Sequence, residues 1–290
     1  MKDTSHAPAE PYAPTDRGTH ITRDGLRLFT QQWVPPAPRA SVVFVHGYAE
    51  HSSRYDDLAR YLNAEGYAVY TYDHRGFGRS GGPRALMHSA EPWLDDLQEI
   101  LQRPVLQQAP GPLFLMGHSM GGALVLAYAL RETPALDGLV LSSPAIAVPA
   151  PGGAIGQTVA QWVGRWLPRL PTVGKLHDAL SHDPAVRERV ARDPLCYQGR
   201  VPAATGATLL RLGQRLQATM HALTLPFYAF HGTADIITKP AGTQRLYDTA
   251  ASTDKTLKLY EGLYHETLHE YAKDAVRADL LNWLNDRVGD

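Results

Sequence analysis

Short apolar runs alternate with amphipathic stretches over most of this chain. A segment at 19–34 with Asp24-Gly25 near its centre predicts an antiparallel pair of strands. Ser41 to Val45 reads as a buried strand, Arg54 to Glu65 as a helix closed by Gly66, and Tyr67 to Tyr72 as the next strand. Residues 91–109 predict a helix, and residues 113–130 a buried strand running directly into a buried helix. Leu139 to Leu141, Leu225 to Phe230 and Thr256 to Tyr260 complete the strands. Strand, helix and strand in turn is the rhythm of an α/β fold, with a mostly parallel central sheet and helices on both faces.

The rhythm stops between Ser143 and Leu225. Pro144, Pro149, Pro151, Gly152 and Gly153 punctuate a boundary, and only helical patterns follow until the strand at 225. The predicted organisation is a lead without structure at 1–18, a core at 19–144 and 223–290, and an inserted helical cap at 145–222. The first cap helix carries Ile155, Val159, Trp162, Val163, Trp166 and Leu167 at helical spacing and stops at Pro168. Its apolar stripe reads as a face packed on the core. The alternative is an interfacial helix meeting lipid, since Arg165, Arg169 and Lys175 lie close to the stripe.

Composition narrows the partners. With 28 basic and 29 acidic residues the net charge is −1, so no overall field recruits nucleic acid or an anionic surface. The single cysteine, Cys196, has no partner for an internal disulfide, which fits a reducing compartment. No apolar run approaches the roughly 18 residues of a membrane span, and the first residues lack a signal peptide's apolar region. The expected localisation is cytoplasmic.

Chemistry enters at Gly117-His-Ser119-Met-Gly121, where a serine stands between glycines at a strand-to-helix junction. That is the pattern of a nucleophile elbow, which pushes a hydroxyl into solvent from a sharp turn. A serine needs a base, and the base needs a carboxylate. Asp235 follows the strand at 225–230 and His265 follows the strand at 256–260, so both come from loops after strands. The order Ser119, Asp235, His265 is that of the α/β-hydrolases. In that fold the oxyanion donors are the backbone N–H after the nucleophile and one after the first parallel strand, here Met120 and Tyr48.

Two further motifs compete for attention. His265-Glu-Thr-Leu-His269 matches the His-Glu-x-x-His of zinc proteases, but no third ligand follows at the usual places, so no metal is expected and His269 reads as a helix-surface residue or a neighbour of the site. The glycine-rich loop Asp73 to Gly82 lacks a following Gly-Lys-Ser/Thr, so it reads as tight turns near the site and not as a phosphate cradle. No cofactor is called for.

Several motifs together resemble the monoacylglycerol lipase family. They are His46-Gly-Tyr-Ala-Glu-His-Ser-Ser-Arg-Tyr55, Asp73 to Ser80, Gly117 to Gly122, Asp193-Pro-Leu195, His231 to Asp235 and Lys255 to His265, spread over residues 20–285. The resemblance implies the α/β-hydrolase fold, a triad at Ser119, Asp235 and His265, and oxyanion donors at Tyr48 and Met120. It further implies a single-chain lipid ester as substrate, with peripheral membrane contact through an apolar cap. Ile155, Val159, Trp162 and Trp166 are the cap residues expected to contact the substrate. Tyr48 departs from the family, which often has a small residue there, and its ring is expected to narrow the acyl entrance. Lysophospholipase and short-chain carboxylesterase activity, a non-catalytic receptor and a zinc hydrolase are the competing functions. The oligomeric state is not legible.

Overall fold

The computed structural model describes residues 14–149, 152–172 and 177–289, without the side chains of 154, 155 and 177. Among the described residues eight strands form one sheet in the order β1-β2-β4-β3-β5-β6-β7-β8. They are β1 (Asp16–Ile21), β2 (Arg27–Trp33), β3 (Ala40–Val45), β4 (Tyr67–Tyr72), β5 (Leu113–His118), β6 (Gly138–Ser142), β7 (Phe227–Gly232) and β8 (Lys255–Tyr260). β2 pairs antiparallel with β1 and β4; all other pairs are parallel. The continuous apolar runs of β3 and β4 are buried at every position, as strands covered on both faces must be.

Nine helices flank the sheet: α1 (Asp56–Ala64), α2 (Glu91–Leu101), α3 (Pro104–Gln107), α4 (Met120–Glu132), α5 (Gly153–Trp166), α6 (Pro184–Arg192), α7 (Ala203–Thr219), α8 (Pro240–Thr249) and α9 (Lys273–Val288) among the described residues. One apolar core gathers Leu94, Leu124, Leu126 and Leu216 on one face of the sheet. Leu58, Leu62, Trp283 and Leu284 gather in a second on the other. The strand order turns back at β3, which lies between β4 and β5. Ligands bind at the carboxyl ends of strands where such an order reverses. The loops after β3 and β5, carrying Tyr48 and Ser119, leave the sheet there side by side.

Three sequence expectations are corrected. The lead at 1–18 is too long, because β1 begins at Asp16 and pairs with β2 from Asp16↔Gln32 onward; residues 1–13 lie outside the described residues. This polar edge strand offers no apolar alternation to read. The helix at 91–109 is two helices, since Pro104 drives Arg103 to φ −61°, ψ 140° and so breaks the α run. The helix at 54–65 opens as a 3₁₀ turn at Ser52–Tyr55 before α1. In the inserted stretch, α7 is built into the core: Leu212 and Leu216, with Met220 just beyond its end, share the α4 cluster. α5 then rides on α7, where Gly164 lies so close that a Cβ would stand 2.7 Å from Ala207 Cβ.

Candidate active site

Ser119 sits at φ 54°, ψ −117° between β5 and α4, a conformation that L-residues adopt only when the surroundings hold them. The surroundings do so through close backbone contacts. A Cβ on Gly117 would stand 2.5 Å from Gly121 O, and one on Gly121 would stand 2.2 Å from Val45 O, so neither position admits a side chain. Ser119 N–H donates to Ser142 O at 2.9 Å, tying the elbow to β6. His118, next to it, lies 3.0 Å through Nδ1 from Ser142 Oγ, and burial holds its imidazole well below the usual range, hence neutral.

His265 and Asp235, predicted from loops after β8 and β7, meet Ser119 in one hydrogen-bonded chain. His265 Nδ1 donates to Asp235 Oδ2 at 2.6 Å, which leaves Nε2 to accept from Ser119 Oγ at 2.8 Å. Burial works against a charge on His265, yet the attraction and hydrogen bond of Asp235 outweigh it and raise the imidazole above its ordinary value of 6.5. Burial likewise opposes charge on Asp235, but His265 and His231 hold its carboxyl far below the usual range. Asp235 is therefore an anion throughout the range in which His265 titrates.

Sequence reasoning missed what surrounds Asp235. Oδ2 also accepts from His231 Nε2 at 2.9 Å and Thr238 Oγ1 at 2.9 Å, while Oδ1 accepts from the N–H of Ile237 at 2.7 Å and Thr238 at 3.1 Å. His231 is fully buried, with Thr243 Oγ1 at 2.7 Å from its Nδ1. A signal existed in the His-Gly-x-x-Asp spacing, which returns a side chain at i to one at i+4 across a turn. Ser143 Oγ donates to His265 O at 2.9 Å and steadies the other loop.

The loop after β3 is braced from below. His46 Nδ1 donates to Gly47 O at 2.8 Å and Nε2 accepts from His74 N–H at 2.9 Å, with burial lowering this imidazole to about 3. Glu50 Oε1 accepts from Gly47 N–H at 2.5 Å and from Tyr55 Oη at 2.8 Å. Gly47 N–H is thus committed, and the next residue, Tyr48, borders the cavity beside Ser119 together with Met120. Met120 opens α4, so its N–H has no intrahelical acceptor.

The His-Glu-x-x-His pattern is a coincidence of spacing. Residues 265–269 run through turns, so His265 and His269 do not share a helix face, and His269 is not a helix-surface residue. Both ring nitrogens of His265 are used by Ser119 and Asp235, whereas His269 Nε2 donates to Arg54 O at 3.0 Å. Glu266 is buried under a two-pronged pair with Arg54, at 2.7 and 2.6 Å, and Arg54 also reaches Glu50 Oε2 at 2.5 Å.

Two cavities meet at Ser119. One of about 690 Å³ has largely apolar walls, with Met120, Val148, Ala160, Val163, Leu209 and Ile237 among them. A smaller one of about 70 Å³ is bordered by Glu50, Arg54, Tyr197 and His265. Tyr48 borders both, with its ring edge-on to Phe77 and Tyr197 at 5.4 and 6.3 Å. Of the α5 stripe only Val163 lines the larger cavity among the described residues, and Val159, Trp162 and Trp166 line neither. Val159, Trp162 and Trp166 are 54%, 63% and 62% exposed, because the small residues Gly156, Ala160 and Gly164 on the opposite side let α5 approach α7 and the cavity. Their expected contact with substrate inside the cap, and the expected packing of this stripe on the core, are both corrected; the side chain of Ile155 lies outside the described residues.

Residues 36–272 match the family model described as serine aminopeptidase, S33. The chain is 36% identical to the monoacylglycerol lipase of Mycolicibacterium smegmatis over 90% of this chain and 93% of that protein. It is 32% identical to the human monoglyceride lipase, covering 92% and 90% of the two chains. Among solved structures, the monoacylglycerol lipase of Paleococcus ferrophilus superposes with a TM-score of 0.79 at 32% identity, over 89% of this chain and 98% of that one.

Proposed function

Because the chain belongs to the monoacylglycerol lipase family of α/β-hydrolases and is a serine hydrolase, we propose that it cleaves monoacylglycerols to fatty acid and glycerol through an acyl-enzyme on Ser119. His265 takes the Ser119 proton as Oγ attacks the ester carbonyl, and Asp235 holds the ring and stabilises the imidazolium. The N–H groups of Tyr48 and Met120 receive the oxyanion. Collapse expels glycerol, protonated by His265, and water repeats the attack to free the acid. The observation that carries this reading is the unbroken chain Ser119 Oγ, His265 Nε2, His265 Nδ1 and Asp235 Oδ2, opening on a large apolar cavity.

The cavities support the division of the substrate. The apolar volume suits one long acyl chain, and the small cleft beside Glu50, Arg54 and Tyr197 suits a small neutral head with hydroxyl groups. No helix of the described residues is long and apolar enough to cross a membrane. The exposed Trp162 and Trp166, with Arg165 stacked over the Trp166 ring at 5.8 Å, support peripheral contact with lipid as the route by which a single-chain ester reaches the cavity.

A fluorophosphonate probe followed by peptide mass spectrometry, with ester hydrolysis measured in parallel, tests the assignment. The expected adduct is on Ser119, with labelling and turnover both lost in Ser119→Ala. An adduct on another serine overturns it, and fastest turnover on acetate esters moves the protein to short-chain carboxylesterase activity.

A further inference from the structure

We propose that His51, Asp193 and Cys196 form a binding site for a zinc-like divalent cation that clamps the inserted segment to the loop after β3. A ring nitrogen of His51, a carboxylate oxygen of Asp193 and Cys196 Sγ all lie within 4.8 Å of one another. Imidazole, carboxylate and thiolate together are a donor set for Zn²⁺ or Co²⁺, with water as a fourth ligand. Bond lengths of about 2.0–2.3 Å to such an ion place ligand atoms roughly 3.3–3.8 Å apart, so the widest separation closes by on the order of 1 Å while the hydrogen-bonded pair opens by roughly 0.5 Å.

The positions of the three residues favour that contraction. His51 Nε2 already stands 2.8 Å from Asp193 Oδ2, while its buried Nδ1 has no hydrogen-bond partner. Asp193 and Cys196 share one turn after α6, closed by Leu195 N–H to Asp193 Oδ1 at 2.8 Å and Cys196 N–H to Asp193 O at 3.2 Å. The backbone after His51 is anchored, since Ser52 N–H donates to buried Asp73 at 2.8 Å. The turn therefore moves to the histidine and not the reverse.

Charge points the same way. The carboxylates of Asp193, Glu50 and Glu266 all act on Cys196, against the single guanidinium of Arg54. An added cation relieves that excess, and the Asp193 side chain, 27% exposed, gives it a path from solvent. As the metal–sulfur bond forms, the Cys196 thiol releases its proton to water.

Occupancy has a consequence for turnover that rests on the hydrolase reading above. Tyr197 N–H donates to Ala49 O at 2.9 Å at this same junction, between His51 and the Tyr48 amide. Drawing the turn onto His51 shifts that loop and with it the proposed oxyanion donor, so a bound cation lowers kcat.

Titration of the full-length, metal-free protein with Co²⁺ tests the site, read by the thiolate-to-cobalt charge-transfer absorption in the near ultraviolet. The expected result is one ion per chain with that band, displaced by Zn²⁺. Cys196→Ser, checked for an unchanged Tm, should lose the band and bind more than about tenfold more weakly. His269→Ala and Ser119→Ala should keep it, which separates this site from the His-Glu-x-x-His pattern and from catalysis. Absence of the band in the folded protein, its persistence in Cys196→Ser, or its loss in His269→Ala overturns the site. Zn²⁺ should lower wild-type kcat and spare Cys196→Ser; full occupancy with unchanged turnover overturns the clamp.

Discussion

At 2.8 Å from His265 Nε2, the Ser119 hydroxyl has an acceptor only while that nitrogen is unprotonated. Asp235 raises the His265 imidazole above 6.5, so activity should climb with pH through a single limb whose midpoint lies above that value. Removing the negative charge has the opposite sign. Asp235→Asn should move the midpoint downward and, by leaving the ring in the wrong tautomer, lower kcat by about 10⁴-fold. A pH–rate profile of both proteins checks the pair, and an unmoved midpoint counts against it. His231 belongs to the same scale: His231→Leu strips a donor from a buried carboxylate and should destabilise the fold by about 1–3 kcal/mol, measured by denaturant unfolding. Ser119, Asp235 and His265 were legible because they follow strand-like runs in the order a triad of this fold requires, whereas the role of His231 was not, because its contact is made by a turn that the pattern of apolar positions does not describe.

At the scale of elements, α5 presents two different faces. Gly156, Ala160 and Val163 border the cavity while Val159, Trp162 and Trp166 face outward. A bulky residue on the inner face should therefore act on chain length. Ala160→Trp should cut kcat/KM for long monoacylglycerols far more than for acetyl esters, because it fills volume that only a long chain uses. The outer face should act on lipid surfaces instead. Trp162→Ser with Trp166→Ser should leave stability within about 0.5 kcal/mol, since exposed positions carry little folding energy, but should weaken co-sedimentation with lipid vesicles. Unchanged sedimentation would remove the interfacial role of α5. Spacing alone identified the stripe at 155–167, yet it did not say which way it faced. On a helix rich in small residues, the side that packs is the one that lets backbones approach, here against α7.

For the whole molecule the cavity of about 690 Å³ sets the expected selectivity. Each methylene taken out of water adds about 0.8 kcal/mol, or about fourfold, where the chain still fits. A series of monoacylglycerols should show kcat/KM rising with acyl length to a plateau, and triacylglycerols, with two further chains to house, should turn over far more slowly. Steady-state kinetics on such a series measures this directly; a flat profile would mean that the cavity does not hold the acyl chain.

The sequence by itself determined the α/β alternation, the elbow at Ser119 and the order of its partners. Those depend on local periodicity and on residues that a sharp turn or a loop after a strand requires. It read the β1–β2 pair from the Asp24-Gly25 turn but could not place the start of the polar edge strand β1 at Asp16, since that end of the pairing has no apolar signature. Nor could it show that α7 belongs to the core while α5 turns its tryptophans away from it. Which nitrogen of His265 meets which partner, that Glu266 serves Arg54 and not a metal, and that His51 stands beside Asp193 and Cys196 were decided only by tertiary structure. Each is a contact between residues far apart in the chain, and no local spacing encodes the distance that makes it.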